Sequence, residues 1–324
     1  MNILIEDLKE KVLRGELISK AEAIELSKTP LKELCEAADE IRKHFCGDNF
    51  DFCTIVNGKN GKCPENCKYC AQSSFYKAKV DSYPLMGTEE IIKHGKYNAD
   101  RGVPRYSIVT SGRKLSDTEV DKVSESIREL KKQVDVAVCV SFGLLDEIQY
   151  RKLKDAGVVR VHNNLESSKS YFPNVCTTHS YDEKIAALKA AQKAGLSICS
   201  GGIMGLGESM EDRIDMVLTA RELGVKSVPV NMLNPIPGTP YENNKKLTID
   251  DMCRIVAVFR FLIPDAYIRL AGGRGLMEDK GYSCFQSGAN AAITGDMLTT
   301  SGMTIEQDLK MLTDLGFKVA KPND

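Results

Sequence analysis

After residue 52 the chain of 324 residues alternates short apolar runs with stretches of helical period. The runs at 52–57, 106–110, 135–140, 158–163, 196–200, 227–230 and 267–270, with a weak one near Cys284, are expected strands. Apolar residues three and four apart predict helices over 116–133 and 180–194. "Lys-Asp-Ala-Gly-Val" and "Gln-Lys-Ala-Gly-Leu" read as helix ends, because glycine takes the left-handed cap and a strand follows at once. Eight such units fit an α/β fold, a (β/α)8 barrel, in which side chains at the C-terminal strand ends converge on one mouth. A doubly wound parallel sheet is the rival arrangement. Residues 1–47 read as a helical cap preceding a barrel over 48–324, and Ser19 with Glu22 three positions on reads as a helix start.

The densest chemical signal is Cys63-Pro-Glu-Asn-Cys67-Lys-Tyr-Cys70. Three soft thiolates in one loop can bind three irons of a cubic cluster and leave the fourth open to a small molecule. A structural zinc loop is the alternative, but no partner Cys-x2-Cys follows. Eleven cysteines, an odd number spread through apparent strands, argue for metal or thiol chemistry in a reducing compartment and against a disulfide framework. No signal-peptide pattern and no run of membrane-span length is present, so a cytoplasmic protein is expected. Lys and Arg number 44 against 45 Asp and Glu, which gives no charge footprint for nucleic acid.

Cys-x3-Cys-x2-Cys with an aromatic before the last cysteine resembles the signature of the radical S-adenosylmethionine enzymes. That resemblance implies a [4Fe-4S] cluster whose open iron binds the methionine moiety. Electron transfer then yields methionine and a 5'-deoxyadenosyl radical that abstracts hydrogen from unactivated carbon. Tyr69 can shield a cluster face or touch the adenine. The run Cys199-Ser-Gly-Gly-Ile-Met-Gly-Leu-Gly-Glu208 resembles the turn lining the cofactor, with Gly202 and Gly205 as its contacts; a plain glycine-rich barrel turn is the alternative. Glu208 is expected to open a helix.

Asn164 offers a donor and an acceptor to a urea-like or amide substrate, and Glu166 can take two ribose hydroxyls. Asn231 points a second amide towards the same mouth. His162 reads equally as a structural polar residue or a site residue. Cys53, Cys139 and Cys199 lie on three expected strands that a barrel brings into one layer, where a second cluster can assemble; each alone also fits a buried thiol. Arg269 within an apolar strand requires cluster sulfur or an internal carboxylate as partner. Cys176 reads as incidental. Cys284 is held open as an extra ligand.

Over about residues 45–316 these stretches, with Ser227-Val-Pro-Val-Asn-Met-Leu and Tyr267-Ile-Arg-Leu-Ala-Gly-Gly-Arg, make the chain similar to the biotin synthases. The resemblance implies sulfur insertion into dethiobiotin between C9 and C6 during biotin biosynthesis. It implies sulfide from an auxiliary iron–sulfur cluster, a low-potential donor such as flavodoxin or ferredoxin, and a homodimer. Asn164, Asn231 and Arg269 match catalytic-site positions, and Lys184 stands where many members carry arginine near the cofactor carboxylate. The best-known members bind a [2Fe-2S] auxiliary cluster through three cysteines and an arginine. Here Cys139, Cys199 and Arg269 match, Ser107 replaces the remaining cysteine, and Cys53 enters from the neighbouring strand. That exchange favours a [4Fe-5S]-like auxiliary cluster. Another radical enzyme of the subgroup, of hydrogenase-maturation or mutase type, is the competing function.

Overall fold

The computed structural model describes residues 2–295 and 303–322. Its strands are β1 Asn49–Lys59, β2 Arg105–Thr110, β3 Ala137–Ser141, β4 Val158–His162, β5 Ser197–Cys199, β6 Gly202–Met204, β7 Ser227–Met232, β8 Tyr267–Leu270, β9 Ala291–Thr294 and β10 Lys318–Val319. All pair in parallel, and β9 returns to β1 to close a barrel in the order β1-β2-β3-β4-β5-β7-β8-β9. This is the expected (β/α)8 barrel, and closure excludes the open doubly wound sheet.

Local chemistry sets the helix starts. Ser19, Ser116, Ser180 and Ser209 each accept a backbone N–H three residues on, while the acid at that third position reaches back to the cap. The helices Asp117–Gln133 and Tyr181–Lys193 follow the sequence expectation to within a residue. Three helices, Ile3–Leu13, Lys20–Leu26 and Leu31–Cys46, precede β1. They pack on the barrel helices Met210–Glu222 and Ile249–Leu262.

Two expectations are corrected. The segment around Cys284 is the short helix Tyr282–Phe285, and the closing strand is Ala291–Thr294. The strand is only four residues long and opens on two alanines of little strand propensity, so the pattern hides it. Glu208 does not open a helix: Ser209 is the cap, and the Glu208 carboxylate accepts from Gly205 N at 2.9 Å and Arg213 Nε at 2.7 Å.

β1 shows how the barrel builds its interior. Phe50 and Phe52 pack outward, with Phe50 edge-on to Phe285 at 5.2 Å and to Phe317 at 5.1 Å. Alternation turns Asp51 and Cys53 inward. Gly201 interrupts the run from β5 to β6. A Cβ there would sit 2.1 Å from the Pro229 carbonyl oxygen, so only glycine permits the close approach.

Candidate active site

One cavity of about 410 Å³ occupies the barrel mouth and interior. Its lining contains Cys53, Cys63, Cys67, Cys70, Cys139 and Cys199 together, with Ser107, Tyr69, Asn164, Glu166, Lys184, Asn231 and Arg269. Cys53 and Arg269, 216 positions apart in sequence, therefore share one chamber. Gly202 and Gly205 are absent from the lining, and Ile203 between them is present. A Cβ on Gly202 would lie 2.3 Å from the Glu166 carbonyl oxygen, so this glycine lets β6 approach the turn after β4.

The loop carrying Cys63, Cys67 and Cys70 is fixed by its backbone. Cys63 N donates to Gln72 O at 3.0 Å, Ser74 N donates to Cys63 O at 2.8 Å, and Lys68 N donates to Val175 O at 2.9 Å. Burial pushes the Cys63 and Cys70 thiols up, Cys70 to about 11. The hydrogen bond to Cys176, then burial, raises Cys67, while the same bond holds Cys176 down at about 3. Buried neutral thiols release protons when they take metal. The donor set is soft, and His179 Nε2 and Asn163 Nδ2 in the same cavity are buried without a hydrogen-bond partner. These residues fit an iron–sulfur cluster at the loop.

The turn after β4 faces the loop. Tyr69 donates to Glu166 Oε1 at 2.8 Å, and Asn164 Nδ2 donates to Glu166 Oε2 at 3.3 Å. Glu166 holds φ at +71°, rare for a side-chain-bearing residue and concentrated at functional sites. Lys184 is buried, donates to Asn163 Oδ1 at 3.3 Å and lies 4.0 Å from Glu166. Asn231 bridges two backbones, donating to Gly202 O and accepting from Gly272 N, both at 2.9 Å. One N–H and one lone pair of its amide remain for a ligand.

Deeper in the barrel, register places Ser107 beside Cys139 and His162 beside Cys199. Burial raises the Cys53 thiol. Burial acts the same way on Cys199, but the His162 hydrogen bond and the charges of Arg269 and Arg160 outweigh it and hold Cys199 at about 7. His162 also lines the cavity. Arg269 takes the carboxylate alternative: its Nη2 donates to Asp51 Oδ2 at 2.7 Å. Cys284 lies outside the cavity lining, with its sulfur 3.8 Å from that of Cys253.

Sequence reasoning missed four participants. Cys176 is not incidental: it is buried, and with Cys67 and His179 it offers three ligand atoms within 4.8 Å of one another. His179 in turn hydrogen-bonds Glu65. Cys176 stands three residues before His179, a spacing that was visible without its context. Asp51 was visible as an acid inside an apolar strand.

The radical SAM superfamily model matches residues 59–220, and that of the biotin and thiamin synthesis associated domain matches 229–318. The family match implies a [4Fe-4S] cluster with S-adenosylmethionine. A biotin synthase of Brachyspira hyodysenteriae is 58% identical over 322 residues, covering 99% of this chain and 97% of its own. One of Akkermansia muciniphila is 54% identical over 316 residues, covering 98% of both chains. Among solved structures, methylornithine synthase superposes with a TM-score of 0.84 at 19% identity over 97% of both chains. The hydrogenase maturase HydG gives 0.83 at 18% identity, covering 99% of this chain and 76% of its own. These two likenesses concern the fold. Among the described residues, no helix is long and apolar enough to cross a membrane.

Proposed function

The chain belongs to the biotin synthase family of radical S-adenosylmethionine enzymes, and we propose on that footing that its cavity inserts sulfur between C9 and C6 of dethiobiotin. The observation that carries this reading is the gathering of two separate cysteine triads in one chamber, Cys63, Cys67 and Cys70 in the mouth loop and Cys53, Cys139 and Cys199 on interior strands. When bound, the first cluster and S-adenosylmethionine supply the hydrogen-abstracting radical. Cys53, Cys139 and Cys199 would hold the auxiliary cluster, of [4Fe-5S] type, that gives up the sulfur.

The chain's own residues supply position. Glu166, steadied by Tyr69 and Asn164, is aimed to take the ribose of the cofactor. Lys184 faces its carboxylate as a point charge. Asn164 and Asn231 present amides to the ureido ring of the substrate. A flavodoxin or ferredoxin supplies the electrons, and the working species is a homodimer in the cytoplasm.

The experiment is anaerobic reconstitution followed by incubation with dethiobiotin, S-adenosylmethionine and a low-potential reductant. Biotin with about two 5'-deoxyadenosines per product is expected, one for each C–H bond cleaved. Deoxyadenosine without biotin rejects the substrate or the sulfur source.

A further inference from the structure

Beneath the interior cysteines lies a group that the reaction has not used. Asp51 is buried one inward position from Cys53 on β1. Its Oδ1 accepts from Arg105 Nε at 3.1 Å. Its Oδ2 accepts from Arg160 Nη1 at 3.0 Å and Arg269 Nη2 at 2.7 Å. The three arginines come from β2, β4 and β8, so one carboxylate ties four barrel strands together. All three guanidinium residues line the cavity and Asp51 does not. Arg105 also reaches Cys139 Sγ at 3.4 Å.

Arg269 is fully engaged. Its Nε donates to Ser227 Oγ at 3.4 Å, its Nη1 to the carbonyl oxygens of Asp51 and Ala292 at 3.1 Å, and its Nη2 also to Ser227 Oγ at 3.5 Å. Each of the five N–H donors of a guanidinium thus has an acceptor. A guanidinium that keeps its protons offers no lone pair to iron.

We propose that Asp51 is a positioning residue that clamps Arg269, with Arg105 and Arg160, as a fixed cationic floor under the Cys53–Cys139–Cys199 layer, so that Arg269 meets the auxiliary cluster as a cation and not as an iron ligand. The proposal rests on the auxiliary-cluster reading above. A fixed positive floor stabilises the more anionic, reduced form of a cluster, and therefore enters its reduction potential.

The test uses the full chain, reconstituted anaerobically with arginine isotopically labelled at its guanidinium nitrogens. Pulsed paramagnetic resonance of the reduced auxiliary cluster is expected to show no directly bonded arginine nitrogen. The auxiliary potential should rise in Asp51→Asn, which removes a negative charge, and fall in Arg269→Gln, which removes a positive one. A purely structural role does not produce shifts of opposite sign. Bonded arginine nitrogen, or shifts that are absent or share a sign, overturns the clamp. If Asp51→Asn does not fold, the nitrogen coupling and the Arg269→Gln shift decide. Iron and sulfide counts separate the two readings. One cluster per wild-type chain rejects the auxiliary site and the clamp together, whereas two clusters with bonded arginine reject the clamp alone.

Discussion

Tyr69 donates its hydroxyl hydrogen to Glu166 across 2.8 Å, joining the cysteine loop to the turn after β4. Burial, then the Glu166 charge, raises the phenol well above its ordinary range, so it stays a donor. The carboxylate keeps lone pairs for ribose hydroxyls. Glu166→Gln removes one charge-assisted acceptor, worth about 1.5–3 kcal/mol, and should weaken S-adenosylmethionine binding by about tenfold or more. Anaerobic calorimetric titration measures this; unchanged affinity would take Glu166 out of the cofactor site.

Lys184 supplies the buried cation nearest that carboxylate, at 4.0 Å. Lys184→Met keeps the length of the stem and deletes the charge. A loss of about tenfold in cofactor affinity is expected, and Lys184→Arg should recover most of it because the site needs a cation first. Equal losses in both variants would point to packing instead of charge.

The local parts of this molecule were legible because their causes are local. Ser19 with Glu22 announces a helix start within four residues, and Cys63, Cys67 and Cys70 announce a soft-metal loop within eight. The parts that were missed depend on distant partners. Asp51 meets arginines 54, 109 and 218 positions away, and His179 meets Glu65 across 114. A lone acid in a strand gives no sign of how many cations it will gather. Cys284 misled because a buried thiol fits strand and helix patterns equally.

Glu22 gives a pH signature outside the site. The Lys11 hydrogen bond, then the Ser19 N–H, lower its carboxyl to about 2. A depressed carboxyl contributes stability above its unfolded value near 4.3, lost as pH falls towards 2. The pair is partly exposed, so the contribution is about 1 kcal/mol or less. The difference in urea stability between wild type and Glu22→Gln should therefore be present at pH 6 and shrink below about pH 4. A difference independent of pH would contradict the assignment.

Arg274 and Asp308 form a buried bidentate pair at 2.8 and 2.6 Å, tying the loop after β8 to the helix Ile305–Asp314. Removing either partner leaves an unpaired buried charge. Arg274→Ala or Asp308→Ala should cost about 3–5 kcal/mol, and the double variant much less than their sum. Additive losses in a double-mutant cycle would argue against a direct pair.

Cys53 carries the sharpest prediction about sulfur. It sits on β1 level with Arg105, while Ser107 lies beside Cys139 on the next strand. A serine hydroxyl is a poor ligand for soft iron, so the third thiolate of the interior layer falls to Cys53. Cys53→Ser should leave the mouth-loop cluster intact and lower bound iron by about half, if both clusters hold four irons. The variant should still cleave S-adenosylmethionine to deoxyadenosine and make no biotin. Adding Ser107→Cys to Cys53→Ser moves the thiolate one strand across and should restore a cluster of different spectrum. Iron and sulfide analysis with Mössbauer spectroscopy reads both results, and undiminished iron in Cys53→Ser would remove that cysteine from the ligand set.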